Sequence, residues 1–295
     1  METIKSRGLG KSKGSTYLLY QYDSVRELAD DARSNPEKQY SARYDSEYNL
    51  TQSFDEAYDL ALHGWADIRP TVDATLVPLR EKLGDRLDIQ FERTVDMVGF
   101  EPDIDRYIAG EMDCMWDDLA VEAPKAGKVF TLVVDASMAW FNQPEDIAKR
   151  GAVLCGLVEA FIIMGYQLEV WVESTLKPGF GGGSAVADYL TRLVRVNSAG
   201  ELLDIDNIMF AIGHPDFNRR LFWSVGEKYD DSRSFGFYPG GGYGQTRQGS
   251  HMVDRVGASF TVSLDGNEAM TTDPEQWILD QLLMQGVIDE SVARG

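Results

Sequence analysis

Apolar positions along this chain change their period several times, and each change predicts an element. Val129 to Val134 is an unbroken β-branched and aromatic run, the pattern of a strand covered on both faces. Pro144 suits the first turn of a helix, and Glu145 and Asp146 suit its positive end. From Ile147 to Met164 the sequence grows steadily more apolar until Gly165 supplies a stop. Leu168 to Val172 then alternates as a further strand. Strand, crossover helix and strand form a right-handed βαβ unit, and α/β sheets place their chemistry at the C-terminal ends of such strands. That edge carries Asp135, Ser137 and Glu173.

Upstream, Thr16 to Tyr22 reads as a strand and Ser24 to Arg33 as a short helix. Ser53 and Glu56 form a capping box that starts a helix through Leu62, closed near Gly64, with Trp65 packed beside the turn. Val72, Leu76, Leu79 and Leu83 mark an amphipathic helix over 71–83, where Pro78 predicts a kink or a late start. Ile89 to Val98 is a predicted strand. Ile104, Tyr107, Ile108, Met112, Met115 and Leu119 recur at helical spacing, which predicts a buried stripe first and a binding surface second. Pro124 and Gly127 interrupt the pattern. The expected organisation is a flexible basic segment over 1–14 (Lys5, Arg7, Lys11, Lys13), an acidic α+β region over 15–125, and an α/β domain over 126–295.

Downstream, Lys177 to Ser184 is glycine-rich and precedes a predicted strand from Tyr189 to Val196. Asp204 or Asp206 can start a helix through Ile212, which His214-Pro215 breaks; it restarts at Phe217 to Val225, past the paired Arg219 and Arg220. A second glycine-rich stretch, 235–249, interleaves Tyr238, Tyr243, Gln245 and Arg247. Loops of that length are commonly functional or mobile. Ala258 to Leu264 is a last predicted strand, and Pro274 opens the last helix.

Charge changes this picture. The formal net charge is -20, from 28 basic and 48 acidic residues, which argues against general binding to phosphate backbones, since that takes Lys and Arg. Eight acids stand against Arg106 alone between Glu101 and Glu122. Solvated acidic helices are the plain reading, and an acidic face for a basic partner is the sharper one. Cys114 and Cys155 make no Cys-x-x-Cys pair, no apolar leader opens the chain, and no run approaches the ~18 apolar residues of a membrane span. A reducing cytoplasm, with no membrane contact, is the expected setting.

Candidate chemistry is sparse. His63, His214 and His251 fall in no metal-ligand pattern. Ser137 lacks the glycine-flanked elbow of a nucleophile, and Gly10-Lys11-Ser12 lacks the upstream glycine and strand of a phosphate loop. Asp135, Glu173 and Asp206 could build a metal-assisted hydrolase. The glycine-rich loops could instead cradle an anion beside Arg219, Arg220 or Arg247, while Tyr238 and Tyr243 among glycines suit protein recognition.

The element order, with Asp135-Ala136-Ser137-Met138-Ala139 directly after the first strand of the series, resembles the von Willebrand factor A-like fold over roughly 129–288. That resemblance implies an α/β fold with a doubly wound, mostly parallel sheet. It also implies a divalent cation held by an Asp-x-Ser-x-Ser motif with a distal acid. Asp135 and Ser137 match, Ala139 replaces the second serine, no single residue stands out for the family's threonine, and Asp204 or Asp206, with Asp206 preferred, is the expected distal acid. Oxygen ligands of that kind suit Mg²⁺ or Mn²⁺. Segments 53–65, 94–117 and 204–223 are also similar to an uncharacterised family of tailed-bacteriophage proteins. The expected function is a non-catalytic module binding a host or viral protein complex through Asp135, Ser137, Arg219, Arg220, Tyr238, Tyr243 and Arg247. The alternatives are a divalent-metal hydrolase using Asp135, and an acidic DNA mimic that inhibits a host defence enzyme.

Overall fold

The strand leading into Asp135 is central. In the computed structural model, which describes residues 6–12, 15–34, 49–83, 88–123, 128–137, 142–177, 187–201, 203–229, 245–246, 253–265 and 267–294, every residue from Phe130 to Asp135 is buried. In chain order the elements are β1 (Ser6–Ser12), β2 (Ser15–Tyr22), α1 (Val25–Arg33), α2 (Phe54–His63), α3 (Arg69–Leu83), β3 (Asp88–Asp96), β4 (Glu101–Pro102), α4 (Ile104–Ile108) and β5 (Met115–Ala123). They continue with β6 (Val129–Asp135), α5 (Pro144–Ile163), β7 (Gln167–Lys177), β8 (Tyr189–Asn197), α6 (Ile205–Gly213), a π-helical turn (Phe217–Phe222) and α7 (Trp223–Lys228). The last are β9 (Gln245–Thr246), α8 (Val253–Val256), β10 (Phe260–Ser263), α9 (Ala269–Thr272), α10 (Pro274–Met284) and α11 (Glu290–Arg294).

A mixed sheet runs in the order β1-β2-β8-β7-β6-β10, with β9 pairing beside the end of β7. β10, β6 and β7 are parallel, β8 runs antiparallel to β7, and β2 is parallel to β8. Two expected boundaries change. The basic N-terminus is in part the strand β1, paired with β2 from Ser6↔Gln21 to Ser12↔Ser15. Nor is residue 125 an edge of the sheet, because β2 pairs with β8 and its Leu18, Tyr20 and Tyr22 join the same core as Leu132, Val134 and Val172.

Strand side chains alternate faces, so Phe130, Leu132 and Val134 face one way and Val133 the other. Helices α1, α2, α3, α5, α6 and α10 all contribute to the core on the first face. The opposite face carries Tyr17, Leu19, Val133, Trp171 and Leu193, with Val256 of α8 and Ala258 packed against them. Among the described residues the helices therefore gather on one side of the sheet rather than winding evenly over both.

Local signals are met where they were strongest. The Ser53 hydroxyl accepts from the Glu56 amide at 3.2 Å, and the Glu56 carboxylate reaches back to the Gln52 amide at 2.7 Å. Helix α3 runs through Pro78 without a late start. α5 and α6 cross at glycines: a Cβ on Gly151 would lie 2.1 Å from the Gly213 Cα. Only hydrogens fit there.

The stripe from Ile104 to Leu119 is the main correction. α4 ends at Ile108, and Met115 begins the strand β5, which pairs antiparallel with β3 and β4 in a separate three-stranded sheet. Ile104, Tyr107, Ile108 and Met112 are exposed. Helical spacing misleads here because Gly110, at a φ of 75°, turns the chain after five helical residues.

Gly151→Ala is expected to destabilise the protein by about 3 kcal/mol or more, because backbone must move to admit the methyl group; urea denaturation followed by circular dichroism measures it.

Candidate functional site: the rim at Asp135

Strand directions decide which residues meet. β6, β7 and β10 end at one rim, and antiparallel β8 begins there. β8 therefore delivers the chain to the opposite rim, where Asp204 caps α6, and α6 climbs back to His214. Asn218, just beyond, reaches the Asp135 loop and donates from its side-chain amide to the Ala136 carbonyl at 3.2 Å.

At this rim Asp135 lies in register with Glu173 on β7 and Ser263 on β10. Its Oδ1 accepts from the Ser137 amide at 2.9 Å, and the Ala136 amide donates to the Glu173 carbonyl at 2.8 Å. The Ser137 hydroxyl accepts from the Thr175 amide at 2.8 Å and faces the Thr175 carbonyl at 3.4 Å. Thr175 and Thr191 share a 2.8 Å hydroxyl bond. Asp135, Ser137, Glu173, Thr175 and Thr191 are all buried. The Asp-x-Ser pair thus acts as a clasp that holds the exit of β6 against β7.

The adjoining strand brings a residue that the sequence reading passed over. Asp265 follows β10 directly, as the Leu264 amide donates to the Asp135 carbonyl at 3.0 Å, and its carboxylate accepts from Asn142 at 3.2 Å. Arg219 donates to the Asn142 carbonyl at 2.7 Å, and Arg150 to the Leu264 carbonyl at 2.8 Å. The signal was present: an acid immediately after a predicted strand, the same signature that singled out Asp135.

Arg220 is not a surface cation. It is fully buried, donates to the Thr51 carbonyl at 2.9 Å and lies 3.9 Å from Asp216. Asp216 in turn accepts from the Leu50 amide at 3.1 Å and from the Thr51 amide and hydroxyl, both at 2.7 Å. Burial raises the Asp216 carboxyl above its ordinary range, while the Thr51 bonds and Arg220 pull the other way. His214 accepts the Asp216 amide at Nδ1, 3.2 Å away, and sits edge-on to Trp65 at 4.7 Å. Burial, with Arg220 adding to it, lowers its imidazole to about 3. Arg219 is buried as well, so both arginines anchor the helical connection rather than presenting charge.

Asp206, expected as the distal metal ligand, belongs to the other rim. Arg69 holds it there with contacts of 2.7 and 3.0 Å, and its carbonyl accepts the Trp65 amide. A groove of about 580 Å³ opens beside it, lined by Arg69, Arg80, Glu159 and Asp204 among apolar side chains; burial raises the Glu159 carboxyl. Among the described residues no group of three or more His, Cys, Asp or Glu side chains could hold a metal ion. The Asp135, Ser137 and Asp206 set does not fit Mg²⁺ or Mn²⁺, because its third member is at the wrong end of the sheet and the Ser137 hydroxyl is committed to Thr175. Tyr238, Tyr243, Arg247 and Ala139 lie outside the described residues.

These features define a mixed α/β protein whose central strand ends in a buried polar clasp. A family model described as a domain of unknown function, DUF7192, matches residues 5–280, and the chain belongs to that family. No curated protein and no solved structure matches the chain. No described helix is long and apolar enough to cross a membrane.

Ser137→Ala removes the acceptor of the buried Thr175 amide and is expected to cost about 1 to 3 kcal/mol, read as a lowered denaturation midpoint. His214 gives a pH signature. Its folded pKa is depressed, so above the unfolded value near ~6.5 it contributes nothing, and below that the unfolded state gains protons the native state refuses. Stability should fall by about 1.4 kcal/mol per pH unit in that window. His214→Asn, which keeps an acceptor for the Asp216 amide, should flatten this limb in denaturation curves taken across the acid range.

Proposed function

We propose that this chain is a non-catalytic protein-binding module built on a von Willebrand A-like sheet. The observation that carries the reading is the placement of Asp135-Ala136-Ser137 at the end of a central strand within the order β8-β7-β6-β10, β8 running antiparallel. Asp265 after β10 and Asn218 in the helical connection stand on the same rim. Gathering Asp265 and Asn218 beside Asp135 supports a polar recognition rim, from which Asp206, held by Arg69 at the other end of the sheet, is absent.

The chemistry of the rim favours recognition over turnover. A nucleophilic Ser137 would need a free hydroxyl beside a base, but this hydroxyl binds the Thr175 backbone. The buried clasp fixes the rim at which β7 ends at Lys177, and binding residues are carried on loops set by such scaffolds. Partner contact is assigned to the rim with the 177–184 and 235–249 segments, whose Tyr238, Tyr243 and Arg247 have the side-chain chemistry of protein recognition. The likeness of three segments to tailed-phage proteins supports a partner in the cytoplasm of an infected bacterium.

Affinity purification of the tagged full chain from expressing bacterial cells, followed by mass spectrometry, tests this. A defined set of partner proteins should be recovered with the native chain and lost with Tyr238→Ala/Tyr243→Ala/Arg247→Ala at an unchanged melting temperature. Equal recovery with the triple variant would refute the placement. A metal-dependent hydrolysis that disappears in Asp135→Asn would refute the non-catalytic reading.

A further inference from the structure

The small sheet of β3, β4 and β5 carries a surface that the rim does not explain. Between β3 and β5 the chain presents Val98, Phe100, Ile104, Tyr107, Ile108 and Met112, exposed by between 56% and 78% of their surface. Soluble proteins rarely display apolar side chains in such density without a use for them.

This tip is held in shape. The Phe100 amide donates to the Trp116 carbonyl at 2.8 Å, and the Asp103 amide to the Cys114 carbonyl at 2.7 Å. Gly99 passes so close to β5 that a Cβ there would meet the Trp116 carbonyl oxygen at 2.1 Å. The Asp103 carboxylate caps α4 by accepting from the Asp105 and Arg106 amides. A surface fixed in this way loses little conformational freedom when a partner arrives.

Charge selects the partner. Asp96, Glu101, Asp105, Glu111 and Asp113 are exposed around the apolar group. Arg106, the one basic residue between Asp96 and Asp118, is drawn to Glu111 at 3.3 Å and Asp103 at 4.0 Å. A second copy of this tip would bring acid against acid, and an anionic membrane or nucleic acid would meet the same repulsion. A protein segment with apolar anchors flanked by lysine or arginine is matched in both respects.

We infer that the 96–116 tip is a docking surface for a basic, amphipathic segment of a partner protein. The inference deepens the binding-module reading, yet it uses residues other than those assigned to the rim, so the two can fail separately. Its probe is a fluorescein-labelled synthetic peptide with leucine and lysine at helical spacing, titrated with the full chain and followed by fluorescence anisotropy.

Binding should weaken at least about tenfold in Tyr107→Ser/Ile108→Ser, as expected when central anchors are truncated. It should weaken several-fold in Asp105→Lys/Asp113→Lys and also between about 50 mM and about 500 mM salt. Melting temperatures of these variants should match the native chain, because the altered side chains are exposed. Unchanged affinity in both variants would overturn the inference, since the peptide would then be attracted by net charge alone. So would equal binding of a peptide with glutamate in place of lysine. A dimer in sedimentation that Tyr107→Ser/Ile108→Ser converts to monomer would assign the tip to self-association and overturn it too.

Discussion

From Phe130 to Asp135 every residue of β6 is buried, so its amide and carbonyl groups must find partners within the protein. β7 supplies one ladder, from Val129↔Gln167 to Asp135↔Glu173, and β10 the other, from Phe260↔Leu132 to Ser263↔Asp135. Satisfying both sides fixes the order of three strands at once. It also fixes the end of β6, because the Leu264 amide continues the ladder by bonding the Asp135 carbonyl. The polar clasp at Ser137 and Thr175 follows from this arrangement: a chain leaving a buried strand must have its next polar groups satisfied before it can turn away.

The helical face solves the same problem with side chains. Arg192 projects from β8 into the core, where it donates to the Phe222 carbonyl at 2.9 Å and the Ser174 hydroxyl at 2.8 Å. Desolvation lowers its guanidinium to about 9. Asp216 and Arg220 tie the π-helical turn to residues 50 and 51, far away in sequence. Lys228, Tyr22 and Tyr229 converge on buried Asp31, joining α1 to the end of α7. Buried charges of this kind add little net stability over apolar replacements, but removing one partner is costly. They therefore specify one arrangement of the helical connection behind the Asp135 rim.

The tip over 96–116 is built in the opposite sense. Val98, Phe100, Ile104, Tyr107, Ile108 and Met112 belong to neither hydrophobic core and face water. Backbone bonds between β3, β4 and β5 hold the tip in place, and Arg106 meets Glu111 across it at 3.3 Å. Core and tip thus divide the chain's apolar residues between cohesion and display.

Periodicity and caps determined much of this fold. The run at 129–134 is apolar at every position but Thr131, as suits a strand covered on both faces, and Ser53, Ser24 and Pro274 mark helix starts through their own side-chain chemistry. Asp135 was legible as a rim residue because it follows such a strand. What tertiary structure decided is pairing. The antiparallel course of β8 sends Asp206 to the far rim, and β10 carries Asp265 to the near one; no local pattern encodes the neighbour a strand will choose. Helical spacing from Ile104 onward could not say whether its apolar side would be covered, since burial depends on what packs against a segment. Arg219 and Arg220 look like free cations in sequence, and only the carbonyls that meet them in the folded chain make them internal.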